Sequence, residues 1–337
     1  MSIVVTGATG ALGRLVVDEL LHGGVPAGQI VALARDEQKA APLAALGVEV
    51  RLADYDRPET LEAVFHAGDR VLLISGSEIG RRVPQHTAVV EAATRAGVAQ
   101  LAYTSVLGGP EADFELAREH QVTEKLILES GLPYTLLRNG WYSEVYTEQL
   151  ATALEHGAVT GSAPREGRIA SAPRADYAAA AAAALTGEGH LNTAYELSGD
   201  TAWSLPEYAA LVSEATGREI AYQEVPAEAH LAIFTGAGLP EELAAVLVDV
   251  DRAVGRGLLA ATPGDLARLI GRPTTPVAAT VADAVAALKE TDQHPPHPCA
   301  RTVRTVSRYG HDSPGVRRYI RLRAALDSRP RRRRRGP

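Results

Sequence analysis

Thr6-Gly7-Ala8-Thr9-Gly10-Ala11-Leu12-Gly13 follows the β-branched run at 2–5 and opens a stretch, 12–21, whose apolar residues recur at helical spacing. A strand that passes through glycines into a helix begins a nucleotide-binding α/β unit. Glycines at 7, 10 and 13 remove the Cβ atoms that would block a tight turn, a pyrophosphate and close helix–strand contact. The helix N-terminus adds free N–H groups and the positive end of its dipole. The spacing is GxxGxxG rather than GxGxxG. Its position between strand and helix assigns cofactor binding to Gly7, Ala8, Thr9, Gly10, Ala11 and Leu12; the alternative is a purely structural turn.

Outward from this loop the alternation repeats. Apolar runs at 30–34, 49–52, 71–74, 101–103 and 134–137 are separated by helical patterns of 10–15 residues. Crossovers this long imply a parallel sheet covered on both faces, hence an α/β fold with a Rossmann-type doubly wound sheet. Beyond Arg138 the rhythm changes. An alanine-rich helix is expected at 176–185, a strand at 194–197, a helix at 206–216 and a strand at 220–225. Residues 1–138 thus read as a dinucleotide-binding domain. Residues 139–291 read as a smaller α+β substrate lobe at the carboxyl edge, with elements that complete the sheet. Residues 294–337 are rich in Pro, His and Arg, lack a sustained apolar period and are expected to be disordered.

Composition narrows the function classes. The 337 residues suggest about two domains, and 46% hydrophobic against 22% charged residues suits an ordinary globular chain. No apolar run approaches a membrane span, and the N-terminus lacks the basic start of a secretory signal, so a cytoplasmic protein is expected. The single cysteine, Cys299, excludes a disulfide scaffold. The net charge of −7 hides a split, because 13 arginines and two aspartates lie from Arg301 onward. The preceding body is strongly acidic and offers no surface that would track phosphates, so nucleic-acid binding by the folded part is not expected. No His pairs with a carboxylate at ligand spacing, so no metal is expected. No Gly-x-Ser-x-Gly elbow is present, which leaves hydrolase chemistry without a nucleophile.

The ends of the later strands carry the remaining chemistry. Strand two ends in Leu33-Ala34-Arg35-Asp36, where an acidic residue would bind ribose hydroxyls and an Arg accommodates a 2′-phosphate. Arg35 takes that place, so NADPH is the expected cofactor; the alternative is a surface Arg on a loop at a helix N-terminus. Asp54, after strand three, falls either near the adenine or in a loop or helix cap. Ser75-Gly76-Ser77-Glu78 is a small-residue loop at the carboxyl edge, open to a ribose or merely a turn. Ala102-Tyr103-Thr104-Ser105 would bring hydroxyls, with Tyr103 a candidate catalytic group, toward the nicotinamide.

With these motifs in place, residues 1 to about 291 resemble the NmrA-like branch of atypical short-chain dehydrogenases. Together with Leu137-Arg138-Asn139-Gly140-Trp141-Tyr142-Ser143-Glu144, they look like the type 2 NADPH:quinone oxidoreductases of that branch. The resemblance implies that Ser75, Gly76, Ser77, Asn139, Gly140, Trp141, Tyr142, Ser143, Glu144 and Arg174 join the phosphate loop and Arg35 around NADPH. Ordinary short-chain dehydrogenases carry a Tyr-x-x-x-Lys helix; the matching helix here reads Gln121-Val122-Thr123-Glu124-Lys125. Lys125 is kept as a candidate for holding the ribose, while Gln121 cannot donate a proton. Losing a general acid costs about 10²–10⁴-fold with an ordinary carbonyl. A quinone tolerates the loss, because hydride addition gives a resonance-stabilised anion that water can protonate. Trp141, Tyr142 and Tyr146 form either an aromatic wall for a flat quinone or lobe-packing core. The reading is hydride transfer from NADPH to a quinone. Its rivals are a non-catalytic NADP(H)-sensing regulator and a reductase of another small carbonyl or phenolic compound.

Overall fold

The computed structural model describes residues 1–293; the expected disordered tail lies outside the described residues. Six short strands arise where the sequence places them: β1 (Ile3–Val5), β2 (Ile30–Ala34), β3 (Glu49–Leu52), β4 (Arg70–Leu73), β5 (Gln100–Val106) and β6 (Tyr134–Asn139). A strand not foreseen, β7 (Ala158–Gly161), leaves this sheet to pair in parallel with β9 (Ala221–Glu224). Between them β8 (Thr193–Leu197) returns to the main sheet, giving seven parallel strands in the order β3-β2-β1-β4-β5-β6-β8.

The helices of the sheet portion are α1 (Ala11–His22), α2 (Glu37–Ala44), α3 (Arg82–Ala96) and α4 (Glu115–Glu129). The helix expected between β3 and β4 is only a 3₁₀ turn, Pro58–Leu61. Beyond β6 come α5 (Glu144–Thr147), α6 (Leu150–His156), α7 (Arg174–Thr186), α8 (Leu205–Thr216), α9 (Ala227–Gly236), α10 (Glu241–Gly255), α11 (Asp265–Ile270) and α12 (Val277–Gln293).

Strand alternation divides the sheet core. Val5, Ala32, Leu72, Ala102 and Leu137 face α1 and α7, whereas Val4, Val31, Leu73, Leu101 and Leu136 face α3 and α4. Burial of both faces explains why the strands are nearly continuous apolar runs. The alanines of α7 let it lie close to α1, with Tyr177 anchoring the carboxyl end of the sheet. The sheet-completing elements of the second part are therefore α7 and β8. A third core, containing Trp203, Tyr208, Tyr222 and Val250, gathers α8, β9, α10 and α12 into a lobe against Val106 and Phe114.

The steps β4-α3-β5 and β5-α4-β6 carry their helices on one face. The step from β6 to β8 moves the same way along the sheet, yet α7 lies on the opposite face. It therefore has the opposite hand to the other two, against the strong right-handed preference for simple crossovers. The connection is not simple, since α5, α6 and β7 intervene.

One buried ion cluster fixes the carboxyl ends of β5, β6 and β8. The Arg138 guanidinium donates to both oxygens of Glu124 at 3.0 and 2.8 Å, and to Glu196 at 2.8 Å. Ser105 donates to Glu124 at 2.5 Å, and the Gly108 N–H donates to the other oxygen of Glu196 at 2.7 Å. The two carboxylates hold Arg138 firmly in its charged form, Glu124 most of all. Removing Glu124 leaves the half-buried Arg138 with Glu196 alone and Ser105 without its acceptor. Glu124→Ala is expected to lower unfolding free energy by about 1.5–3 kcal/mol in urea denaturation.

Candidate active site

The open edge of the sheet begins at β1. Gly7 turns with φ +57°, and a Cβ on Gly13 would run into the Gly7 carbonyl and the Ala8 backbone. Gly10 is the N-cap of α1 with no side chain bonded to the helix, and the first turn holds no acidic residue. The first N–H groups of α1 therefore face outward with neither a capping oxygen nor a carboxylate in front of them, which suits an incoming phosphate. Arg14 fixes the loop from the side by donating to the Thr9 carbonyl at 3.0 Å.

At the end of β2, Arg35 is exposed and paired with Glu78 at 3.1 Å. A pair this exposed contributes at most about 1 kcal/mol, so a dianionic phosphate displaces Glu78 readily. Asp36 caps α2, accepting from the N–H groups of Gln38 and Lys39. Asp54 is also spent locally, accepting from the Asp56 N–H at 3.1 Å. Behind the loop lies Tyr55, unforeseen in the sequence. Burial pushes its hydroxyl up to about 12, against smaller lowering effects from Thr6, Arg35 and Gly7.

The Ser75–Ser77 loop is held from below by side chains. Thr6 Oγ1 accepts from the Ile74 N–H at 3.0 Å, and Thr104 Oγ1 from the Ser75 N–H at 2.9 Å. His86 Nε2 accepts from the Gly76 N–H at 3.0 Å, and Arg82 Nε donates to the Gly76 carbonyl at 2.5 Å. Thr104 and Ser105 thus pin neighbouring elements and do not project hydroxyls toward a reacting ring. Tyr103 corrects the sequence reading more sharply. It faces α3 and α4, is fully enclosed and bonds His120 Nδ1 at 2.8 Å. Burial raises its pKa further, so it is a core phenol rather than a proton donor.

Lys125 is a second correction. It lies on the outer face of α4 with its side chain 75% exposed, and its recorded ion pair is Glu129 at 3.8 Å. Glu124, one position earlier, points inward and takes the buried place. Gln121 donates to the carbonyls of Gly109, Pro110 and Ala112, closing the turn before α4.

The segment after β6 divides in two. Gly140 N–H donates to the Leu197 carbonyl at 2.6 Å, and a Cβ there would press on that oxygen and on the Tyr177 hydroxyl. Asn139 Nδ2 donates to the Tyr142 hydroxyl at 3.3 Å, while Asn139 Oδ1 is buried without a partner and the Trp141 indole N–H is directed at the Tyr146 hydroxyl. The orphaned Asn139 oxygen lies beside the half-buried Trp141 and Tyr142 rings and leaves that side of the segment with an unmet acceptor. Ser143 and Glu144 turn away from it, contrary to the sequence reading. Ser143 is fully buried on Ser171 at 2.8 Å, and Glu144 accepts from the Arg174 N–H at the start of α7. Arg174 bonds Glu148 at 2.9 Å and lies 5.0 Å over the Tyr142 ring, buttressing the wall from behind.

A polar chamber beneath the serine loop escaped the sequence reading. Arg82 and His86 sit one turn apart on α3, and His120 faces them from α4; all three are buried. Polar residues at helical spacing on an inward face were the available signal. Among the described residues no group of three His, Cys, Asp or Glu could hold a metal ion, and no helix is long and apolar enough to cross a membrane.

The phosphate cradle, the arginine at the end of β2 and the walled strand ends define a dinucleotide-binding α/β protein with an appended lobe. A model of the NmrA-like family matches residues 1–260, and the chain belongs to that family. Quinone oxidoreductase 2 of Escherichia coli (strain K12) is 46% identical over 279 residues, covering 83% of this chain and 97% of that protein. The solved E. coli NADPH-dependent quinone oxidoreductase complexed with NADPH is 45% identical with a TM-score of 0.80, over 85% of this chain and 99% of that one. The Citrobacter sp. triphenylmethane reductase complexed with NADP(H) is 40% identical with a TM-score of 0.80, over 84% of this chain and 100% of that one.

The buried histidines make stability depend on pH. Burial, and secondarily the Arg82 charge, lowers the His86 pKa to about 4, and His120 is lowered by the same causes in the same order. Between these values and the ordinary 6.5 the unfolded chain binds protons that the folded chain refuses, so stability falls as pH falls. His86 alone is expected to cost about 3 kcal/mol between pH 6.5 and 4. His86→Gln should flatten that part of the urea-stability profile relative to the wild type.

Proposed function

We propose that this chain is an NADPH-dependent quinone oxidoreductase. The observation that carries the reading is a phosphate cradle free of carboxylates joined to Arg35 at the end of β2. The 46% identity to a quinone oxidoreductase over nearly that protein's whole length supports it. NADPH bound here supplies a hydride.

The chain's own residues bind and orient. The N–H groups at the start of α1 hold the diphosphate, and Arg35 releases Glu78 to take the 2′-phosphate as a planar, charge-assisted contact. The serine loop offers backbone close to a ribose. Asn139 Oδ1 regains a partner when the reactive end of the cofactor lies against it. Tyr142, stiffened by Arg174 and Tyr177, forms a flat wall beside it.

The choice of acceptor follows from the fate of three candidate acids. Gln121 is tied to carbonyls, Lys125 points to solvent and Tyr103 is sealed against His120. None can deliver a proton during hydride transfer. An alkyl ketone would pass through an alkoxide and needs that proton, whereas a quinone gives a delocalised anion and does not. The test is NADPH oxidation by purified protein with and without 1,4-naphthoquinone; tight NADPH binding with no quinone-dependent oxidation would favour the sensing reading.

Arg35→Ala should weaken NADPH binding about 10- to 100-fold while leaving NADH nearly unchanged, in a fluorescence titration of each. Lys125→Ala should leave NADPH affinity and urea stability at wild-type values, since its side chain touches neither site nor core.

A further inference from the structure

We propose that Arg82 is the cation that stabilises the negative oxygen formed on the quinone during hydride transfer, an assignment that rests on the quinone-reductase reading. Arg82 is 7% exposed, and its Nε is committed to the Gly76 carbonyl. Its Nη1 has no hydrogen-bond partner. Glu119 Oε2 approaches to 3.8 Å, beyond hydrogen-bond reach, and Glu119 Oε1 is already engaged by the Gly80 N–H. A buried guanidinium with an unused donor is costly unless a ligand meets it.

Its neighbours leave that charge available. His86 and His120 are both held neutral by burial and by Arg82 itself. Tyr103 is bonded to His120, and Glu124 belongs to Arg138. Burial outweighs the attraction of Tyr103, Glu119 and Tyr142 and lowers the Arg82 pKa, the mark of a cation not fully compensated.

Its place along the sheet edge fits the reacting end. Arg35 marks the 2′-phosphate at β2 and the glycine loop marks the diphosphate at β1, so the cofactor runs toward β4, β5 and β6. Strand spacing puts β6 about 19 Å from β2. Arg82 lies under the loop that follows β4, the strand that comes after β1 on that path, with its Nε on the Gly76 carbonyl. Hydride transfer moves two electrons and one proton from NADPH to the quinone, giving NADP⁺ and a hydroquinone monoanion. Water supplies the second proton. The monoanion's charge rests on oxygen, and a preplaced donor in a dry site is worth about 10²–10³-fold in rate.

The test compares wild type, Arg82→Gln and Arg82→Lys by three measurements: NADPH titration, single-turnover NADPH oxidation by 1,4-naphthoquinone, and the ionisation of 4-nitrophenol bound beside NADP⁺, read from phenolate absorbance against pH. Arg82→Gln should transfer hydride about 10²-fold more slowly, with a much smaller loss of NADPH affinity from its missing bond to the serine loop, and Arg82→Lys should recover most of the rate. The nitrophenol midpoint should lie below its free value in the wild type and rise by about two pH units in Arg82→Gln, the same factor read at equilibrium. NADPH affinity falling in step with the rate would make Arg82 a cofactor ligand and overturn the proposal. Equal nitrophenol midpoints in wild type and Arg82→Gln would overturn it too. If Arg82→Gln does not fold, the wild-type midpoint and Arg82→Lys decide. A wild type that binds NADPH but reduces no quinone sinks the functional reading instead, and the nitrophenol titration then still judges Arg82.

Discussion

The guanidinium of Arg138 is the constraint on which the edge of this molecule depends. A single cation bridges a carboxylate from α4 and one from β8, and those carboxylates in turn hold Ser105 on β5 and the backbone of Gly108. Four segments are thereby fixed at the level where β6 ends and the Asn139–Tyr142 segment begins. Bidentate geometry gives direction as well as energy, which a hydrophobic contact of equal area would not. The segment that leaves β6 can therefore present Asn139 with an orphaned oxygen, because its root does not move to satisfy it.

Much of this was legible in the residues. The glycine loop, the six strands and the arginine after β2 are local features, set by conformational freedom at Gly7, by β-branched runs and by a charge at a strand end. The misreadings share a cause. Lys125 and Glu124 are adjacent on a helix, and only the packing of α4 decides which one faces inward; a spacing borrowed from a Tyr-x-x-x-Lys helix cannot. Tyr103 and Thr104 likewise point to opposite faces of β5, and the phenol went to the side covered by α3 and α4. Ser143 and Glu144 look like cofactor residues beside Trp141 and Tyr142, yet the turn into α5 rotates them onto Ser171 and the start of α7.

The polar chamber under the serine loop was missed for a different reason, since polar residues at helical spacing are only a faint signal. His86, Arg82 and His120 are far apart in sequence or buried on helix faces that composition does not distinguish from core. Their joint burial makes electrostatic sense only in three dimensions. Two imidazoles stay neutral because burial penalises their charged forms and the guanidinium nearby adds to that penalty, so the chamber holds one positive charge instead of three. Dispersing positive charge over all three would require desolvating each cation separately.

The reversed hand of the β6-to-β8 crossover bears on how the chain folds. β8 pairs with β6 across more than fifty intervening residues, which include α5, α6 and β7 of the lobe. Closing that loop is entropically slow, and the sheet lacks its last strand until it closes. The lobe's first elements are thus threaded between two strands of the main sheet, not strung after it. Neither body can be cut away as a contiguous piece. Sheet and lobe should therefore acquire their structure as one cooperative unit, with the late arrival of β8 and α7 placing the final cover over α1.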